Sequence, residues 1–199
     1  MTAERETGAE RETGAERETG AERETGAERE TGAERETGEG PEIEVVWGAA
    51  EGETPLSAFD RALAAGGIHN YNLVRLSSVV PAEATVIERG QARREWPVGE
   101  VVAAVLSDAV GSVAGETVVA GLGWATTPQG GVFVEHTADS SDECETLLRR
   151  GVRDAMAHRE WDWDGEVRTR LVEHVVERTG AAVVAAVYAP VRLPRWDGD

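Results

Sequence analysis

The chain has no lysine: all 20 of its basic residues are arginine. That absence removes several chemistries at once. There is no lysine for a phosphate-binding P-loop, none to form an imine with a carbonyl substrate, and none to hold pyridoxal phosphate. Cysteine is almost as scarce. Cys144 stands alone, which excludes a disulfide within the chain and leaves no thiolate set for a zinc cluster. No apolar run reaches membrane-spanning length, and no apolar h-region follows the N-terminus. Both absences lead to the expectation of a soluble, cytoplasmic protein. The formal charge of −18 argues against nucleic acid and anionic membrane as partners, because both need a basic patch. Dense acidity without lysine suits high salt, where carboxylates keep a surface hydrated and screening weakens their mutual repulsion.

What is present begins with a repeat. After Met1-Thr2 the hexapeptide AERETG occurs six times in tandem. Each copy carries two Glu and one Arg, so the repeats contribute −6 and residues 39–199 the remaining −12. A period of six fits neither the helix nor the heptad, so no apolar stripe builds up. Glu, Arg and Ala favour helix, but each unit also brings Thr and Gly, which oppose it. Such a segment buries too little to offset its ordering entropy. Residues 1–40 are therefore expected to form a disordered acidic tail, a solvated extension rather than a binding array. Residues 41–199 are enough for one domain with a real core.

Within that domain IEVVWGAA (43–50) reads as a buried strand. A helix is expected in EGETPLSAFDRALAAGG (51–67), with Thr54 as N-cap, Pro55 in the first turn, Leu56, Phe59 and Leu63 on one face, and Gly66-Gly67 as the stop. NYNLVRLSSVV (70–80) is strand-like up to its serines, and Pro81 ends ladder donation. Residues 99–111, 115–127 and 130–137 read as further strands, the last two joined by a Pro-Gln-Gly-Gly turn. A second helix fits 140–160. Ser140 and Glu143 have capping-box spacing, and Cys144, Leu147, Leu148, Val152, Ala155 and Met156 make an apolar face. Cys144 on that face reads as a small core residue, not a nucleophile. Residues 166–176 and 181–191 flank an ERTG turn and read as a closing hairpin, although the first of them also fits a helix. The order of elements gives a mixed α/β domain with helices covering sheet faces.

Few residues carry chemistry by themselves. His69, His136, His158 and His174 have no metal-binding spacing, so no metal is expected. GLG at 121–123 lacks the third glycine and the following helix of a dinucleotide fingerprint. Glu135 ends the apolar run GGVFVE. A carboxylate there can serve as a proton donor, although a solvated strand end is the more ordinary outcome. Asp60 alone is a helix-surface carboxylate, and Asn72 is a polar group within a strand. Ser77-Ser78 is a common dipeptide. Its place between an apolar strand and Pro81 allows a bend in which a hydroxyl attacks the preceding carbonyl.

Taken together, these residues resemble a family. EGETPLSAFDRALAAGGIHNYNLVRLSSVVP (51–81) resembles the self-processing segment of pyruvoyl-dependent arginine decarboxylases through EGETPL, AFD, NLVR and SSVVP. GGVFVE (130–135) is similar to the family segment that ends in a catalytic Glu, and LVEHVVERTGAAVVAAVY (171–188) to its C-terminal hairpin. The likeness covers nearly all of 43–188. His69, the missing lysines, the acidic repeat and the RLPRWDGD end depart from the family pattern without touching the cleavage motif.

The resemblance implies a four-layer αββα sandwich of mostly antiparallel sheets flanked by helices. It also implies self-cleavage between Ser77 and Ser78 into a β chain, 1–77, and an α chain, 78–199, that begins with a covalent pyruvoyl group derived from Ser78. Asn72 matches a residue that assists the cleavage, Glu135 the donor of a proton to the substrate Cα, and Asp60 the residue facing a guanidinium. The implied reaction converts L-arginine to agmatine and CO2 through a Schiff base, in a trimer of αβ units with sites between neighbours. A pyruvoyl ketone needs no lysine, so the composition is compatible with it. Two alternatives stay open: the same chemistry on another amino acid such as aspartate, and an uncleaved scaffold without enzymatic activity.

Overall fold

The longest apolar stretch, GAAVVAAVYAP, forms β9 (Gly180–Pro190) at the centre of a five-stranded sheet. In the computed structural model, residues 40–191 are described. The AERETG repeats and RLPRWDGD, for which a disordered tail and a departure from the family pattern were expected, lie outside them. β9 is flanked by β1 (Glu42–Glu51) and β5 (Val101–Gly111), both antiparallel to it. β2 (Asn72–Arg75) and β4 (Thr85–Gly90) close the two edges as parallel neighbours of β5 and β1. A four-stranded sheet holds β3 (Val79–Val80), β6 (Thr117–Thr127), β7 (Gly130–Ala138) and β8 (Arg168–Val175), in the order β3-β7-β6-β8, all antiparallel.

The sheets pack face to face, and a helix covers each outer face. α1 (Pro55–Ala65) lies on β1, β9 and β5, and α2 (Ser141–Ala157) on β6, β7 and β8. This is the expected αββα sandwich. Layering explains the sequence of the inner strands. β9 is covered on both faces, so it reads as a continuous apolar run instead of alternating. Val184 and Ala186 face the opposite sheet, with Ile43, Val45, Leu122, Trp124 and Phe133. Val183, Ala185 and Val187 face α1, with Ala58, Ala62 and Leu63. Each large side chain buried fully in these layers stabilises the fold by roughly 1.5–3 kcal/mol.

The helices start as their caps dictate. Thr54 and Ser57 form a reciprocal capping box on α1, with Pro55 in the first turn. Leu56 is corrected: it is 75% exposed, and the inward face is Ala58, Phe59, Ala62 and Leu63. Small residues win that face because they let the helix lie close on the sheet. On α2, Ser140 accepts from Glu143 N–H, so half of the expected box is present. Cys144, Leu148, Val152 and Met156 point inward. Gly121 and Gly123 on β6 make room for them. A Cβ on Gly121 would lie 2.8 Å from Leu148 Cδ1, and one on Gly123 3.1 Å from Val152 Cγ2. Burial pushes the Cys144 thiol up to about 11, helped by the neighbouring Glu143, so the sulfur stays protonated and unreactive.

Two more expectations are corrected. β8 and β9 are both strands, but they are not a hairpin. β8 pairs with β6 in one sheet and β9 with β5 and β1 in the other, so the ERTG turn crosses between sheets. β4, in TVIERG, is a strand that the sequence pattern did not reveal.

Glu51 ties down the ERTG crossing. Its carboxylate accepts from the N–H groups of Glu177, Arg178 and Thr179, and lies 2.7 Å from His174 Nε2. The Glu177 N–H first, then His174, hold the Glu51 carboxyl down at about 2 from an ordinary 4.5. A carboxyl depressed on folding contributes stability that is complete above its unfolded value and is lost as pH falls through its folded value. Wild type is therefore expected to melt higher than Glu51→Gln at pH 6, with the gap closing between about pH 4.5 and 2. Thermal melts of both proteins across that range check it.

Candidate active site

The chain crosses from one sheet to the other at the serine pair. β2 ends at Arg75 on the edge of the five-stranded sheet, and β3 begins at Val79 on the edge of the four-stranded one. Leu76–Ser78 is the bridge, and it is anchored at both ends. Leu76 N–H donates to Ala104 O of β5 at 3.0 Å. Ser78 O accepts from Phe133 N–H of β7 at 2.8 Å. Tyr188 Oη of β9 donates to Val79 O at 2.9 Å, and burial raises that phenol above its ordinary value, so it stays a donor. Spanning the gap forces Ser78 to φ +70°. A left-handed backbone costs a non-glycine residue about 1–2 kcal/mol, and here the three anchors hold it in place.

Glu135 completes the geometry. It lies on β7 two residues past Phe133, so both side chains fall on the same face of the strand. Ser78 Oγ donates to Glu135 Oε2 at 3.0 Å. An open cavity of about 210 Å³ lies beside this pair, lined by Arg75, Leu106, Ser107, Asp108, Glu135, His136 and Thr137. Arg75 donates to Leu106 O at 2.7 Å and pairs with Asp108. The wall thus carries both signs of charge next to a hydroxyl and a carboxylate.

Ser77, Ser78 and Glu135 are therefore brought together. Asn72 and Asp60 are not. Asn72 opens β2, and its Nδ2 donates to Gly99 O at 2.7 Å. Asp60 is exposed on α1, the helix on the outer face of the five-stranded sheet. Among the described residues no hydrogen bond or ion pair joins either side chain to the serine pair. Arg75, Ser107, Asp108 and Tyr188 reach the site without having been singled out. The signal for two of them was present in the sequence: Ser107-Asp108 is a polar pair inside an otherwise apolar strand. Among the described residues no group of three His, Cys, Asp or Glu is arranged to hold a metal, and no helix is long and apolar enough to cross a membrane.

Residues 42–192 match the family model of pyruvoyl-dependent arginine decarboxylase. The chain belongs to the pyruvoyl-dependent arginine decarboxylase family. Its relatives include the pyruvoyl-dependent arginine decarboxylase of Halobacterium salinarum, 37% identical over 152 residues, which is 74% of this chain and 94% of the relative. The Methanothermobacter thermautotrophicus protein of the same name is 35% identical over 152 residues, covering 74% and 95%. That of Methanocaldococcus jannaschii is 34% identical over 148 residues, covering 72% and 87%. Both the strained serine crossing and Glu135 fall inside the stretch that matches the family model.

Proposed function

We propose that this chain cuts itself between Ser77 and Ser78 and then converts L-arginine to agmatine and CO2. One observation carries the reading most: a serine hydroxyl held on a carboxylate at 3.0 Å, on a left-handed backbone that bridges two sheets. The cut follows from elementary chemistry. Ser78 Oγ attacks the Ser77 carbonyl carbon through a five-membered ring, with Glu135 accepting the hydroxyl hydrogen bond. The C–N bond breaks, the proton passes to the Ser78 nitrogen, and an ester replaces the amide. Loss of the Ser78 Cα proton with cleavage of Cβ–Oγ releases the β chain, 1–77, ending in the Ser77 carboxylate. Dehydroalanine remains at position 78, and hydrolysis with loss of ammonia leaves a pyruvoyl group at the head of the α chain, 78–199. The domain reading is thus an acidic tail, 1–40, on a processed decarboxylase domain, 41–199.

The residues present fit that group. Its source is a serine, its neighbour is a carboxylate, and an open cavity adjoins both. A pyruvoyl group at position 78 would supply a carbonyl for the substrate α-amine and a sink for the electrons that decarboxylation leaves on Cα. Glu135 would deliver a proton to that Cα. Arg75 and Asp108 fix the charge on the cavity wall. Asp60 and Asn72 do not touch the serine pair of their own chain; in the trimer with sites between neighbours that the family likeness implies, a neighbouring copy would supply them. Asp60 would then face the guanidinium as a carboxylate against a planar fork. An amide nitrogen carries two N–H groups, so Asn72 can hold Gly99 O and still offer one to the oxyanion of the cut. The acidic, lysine-free composition supports a cytoplasm of high salt.

Initial rates on arginine, lysine, ornithine and aspartate test the substrate. Arginine is expected to exceed aspartate by at least about 10²-fold, because a carboxylate facing a second carboxylate pays like-charge repulsion and loses its hydrogen bonds. Turnover of aspartate equal to that of arginine would sink the assignment.

A further inference from the structure

Ser107 is a polar residue in the wrong place for a core. It sits on β5, 3% exposed, inside an apolar run. Its hydroxyl does not bond within its own sheet. It donates to His136 O at 2.8 Å and accepts from Gly121 N–H at 3.2 Å. His136 and Gly121 face each other across the β7–β6 ladder. One hydroxyl from the five-stranded sheet is therefore wedged into the ladder of the four-stranded sheet. Packed sheets stand about 10 Å apart, a gap that so short a side chain cannot cross, so β5 must approach β6 and β7 closely here. From the other side of the same sheet, Cys144 Sγ of α2 lies 3.5 Å from His136 O. Donors from two layers converge on one carbonyl.

That carbonyl belongs to the residue directly after Glu135. Ser107 also lines the cavity beside Glu135. We propose that Ser107 is a positioning residue for the decarboxylation: by gripping the His136 carbonyl it fixes β7 against β5 and so sets where the Glu135 carboxyl stands over the serine crossing. The inference rests on Glu135 being the proton donor, as proposed above. A buried hydroxyl without partners is destabilising, so a side chain that makes two bonds to a foreign sheet is there for what those bonds hold. The effect should fall on the chemical step. Ser107 touches neither Ser77 nor Ser78, and binding of the arginine side chain is assigned to Asp60.

The test uses the full chain, with turnover normalised to the cleaved fraction measured by intact mass. Ser107→Ala is expected to lower kcat for arginine about 10- to 100-fold, the scale of a misplaced reacting group, with KM within about twofold. Ser107→Thr keeps the hydroxyl, so it should restore most of kcat. Wild-type kcat in cleaved Ser107→Ala overturns the proposal, and so does a loss that Ser107→Thr fails to restore. If Ser107→Ala yields no folded protein, Ser107→Cys decides. A weaker donor of nearly the same shape should lower kcat at unchanged KM, and wild-type kcat there overturns the proposal. Glu135→Gln is run alongside. Full turnover in Glu135→Gln removes the reading beneath the proposal, whereas loss in Glu135→Gln with none in Ser107→Ala removes the proposal alone.

Discussion

Ser78→Ala is expected to remain a single chain and to have no detectable decarboxylase activity. The hydroxyl that donates to Glu135 is the only atom of residue 78 able to attack the Ser77 carbonyl. Without it no ester forms, no elimination follows, and residue 78 never becomes a ketone. Enzymes accelerate their reactions by at least about 10⁶-fold, and all of that acceleration which depends on the ketone is lost. The fold should be unharmed, since Ser78 is anchored through its backbone carbonyl to Phe133 N–H and alanine tolerates the backbone as well as serine does. Intact mass under denaturing conditions reads the result directly. Wild type should give two chains split after Ser77, the second lighter by one ammonia than a serine-started chain. Ser78→Ala should give one. A processed Ser78→Ala would refute the assigned cleavage site.

Glu135→Gln is expected to separate the two reactions. Its amide oxygen can accept the same hydrogen bond from Ser78 Oγ, so cleavage should still occur. It cannot deliver a proton to Cα. Loss of a positioned general acid costs about 10²–10⁴-fold, and that loss should appear in kcat for arginine in the cleaved protein. Single-turnover rates on protein whose cleavage is complete by intact mass would measure it. Near-normal turnover would remove Glu135 as the proton donor and leave the serine chemistry intact.

The sequence revealed most of the layers but not how all of them connect. Central strands such as β9 and β6 announce themselves because burial on both faces leaves long apolar runs. β4 did not. Its six residues include Thr85, Glu88 and Arg89, the composition of a strand that has a neighbour on one side only. The mistaken hairpin has a similar cause. Local periodicity says that β8 and β9 are strands, but partners are chosen by the sheets already waiting on either side, and a short turn crosses a gap as readily as it reverses a chain. Leu56 was misplaced because helical spacing fits several faces, and the close seat of α1 favours alanine. In the site, Ser77-Ser78 and Glu135 were legible through the family likeness, and the structure brings them together. Asp60 and Asn72 were legible only through it, and one chain by itself gives them no role at the serines. Ser107 was legible as an anomaly, a polar pair with Asp108 amid valine and alanine, yet nothing in the sequence says whose backbone it reaches.

The strand order carries one further consequence. β1 lies between β9 and β4, and β2 lies on β5. β1 and β2 belong to the segment before Ser77, and their neighbours to the segment after Ser78. The proposed cut between Ser77 and Ser78 would leave one sheet woven from two molecules. Leaving that sheet strips β9 of a whole flank, so the pieces stay together as long as the core stands. Melting would then be a dissociation, and recovery a bimolecular search by fragments that first folded as neighbours on a tether. On that proposal the uncut chain would make its native form once, at an effective concentration that the cleaved protein would never meet again.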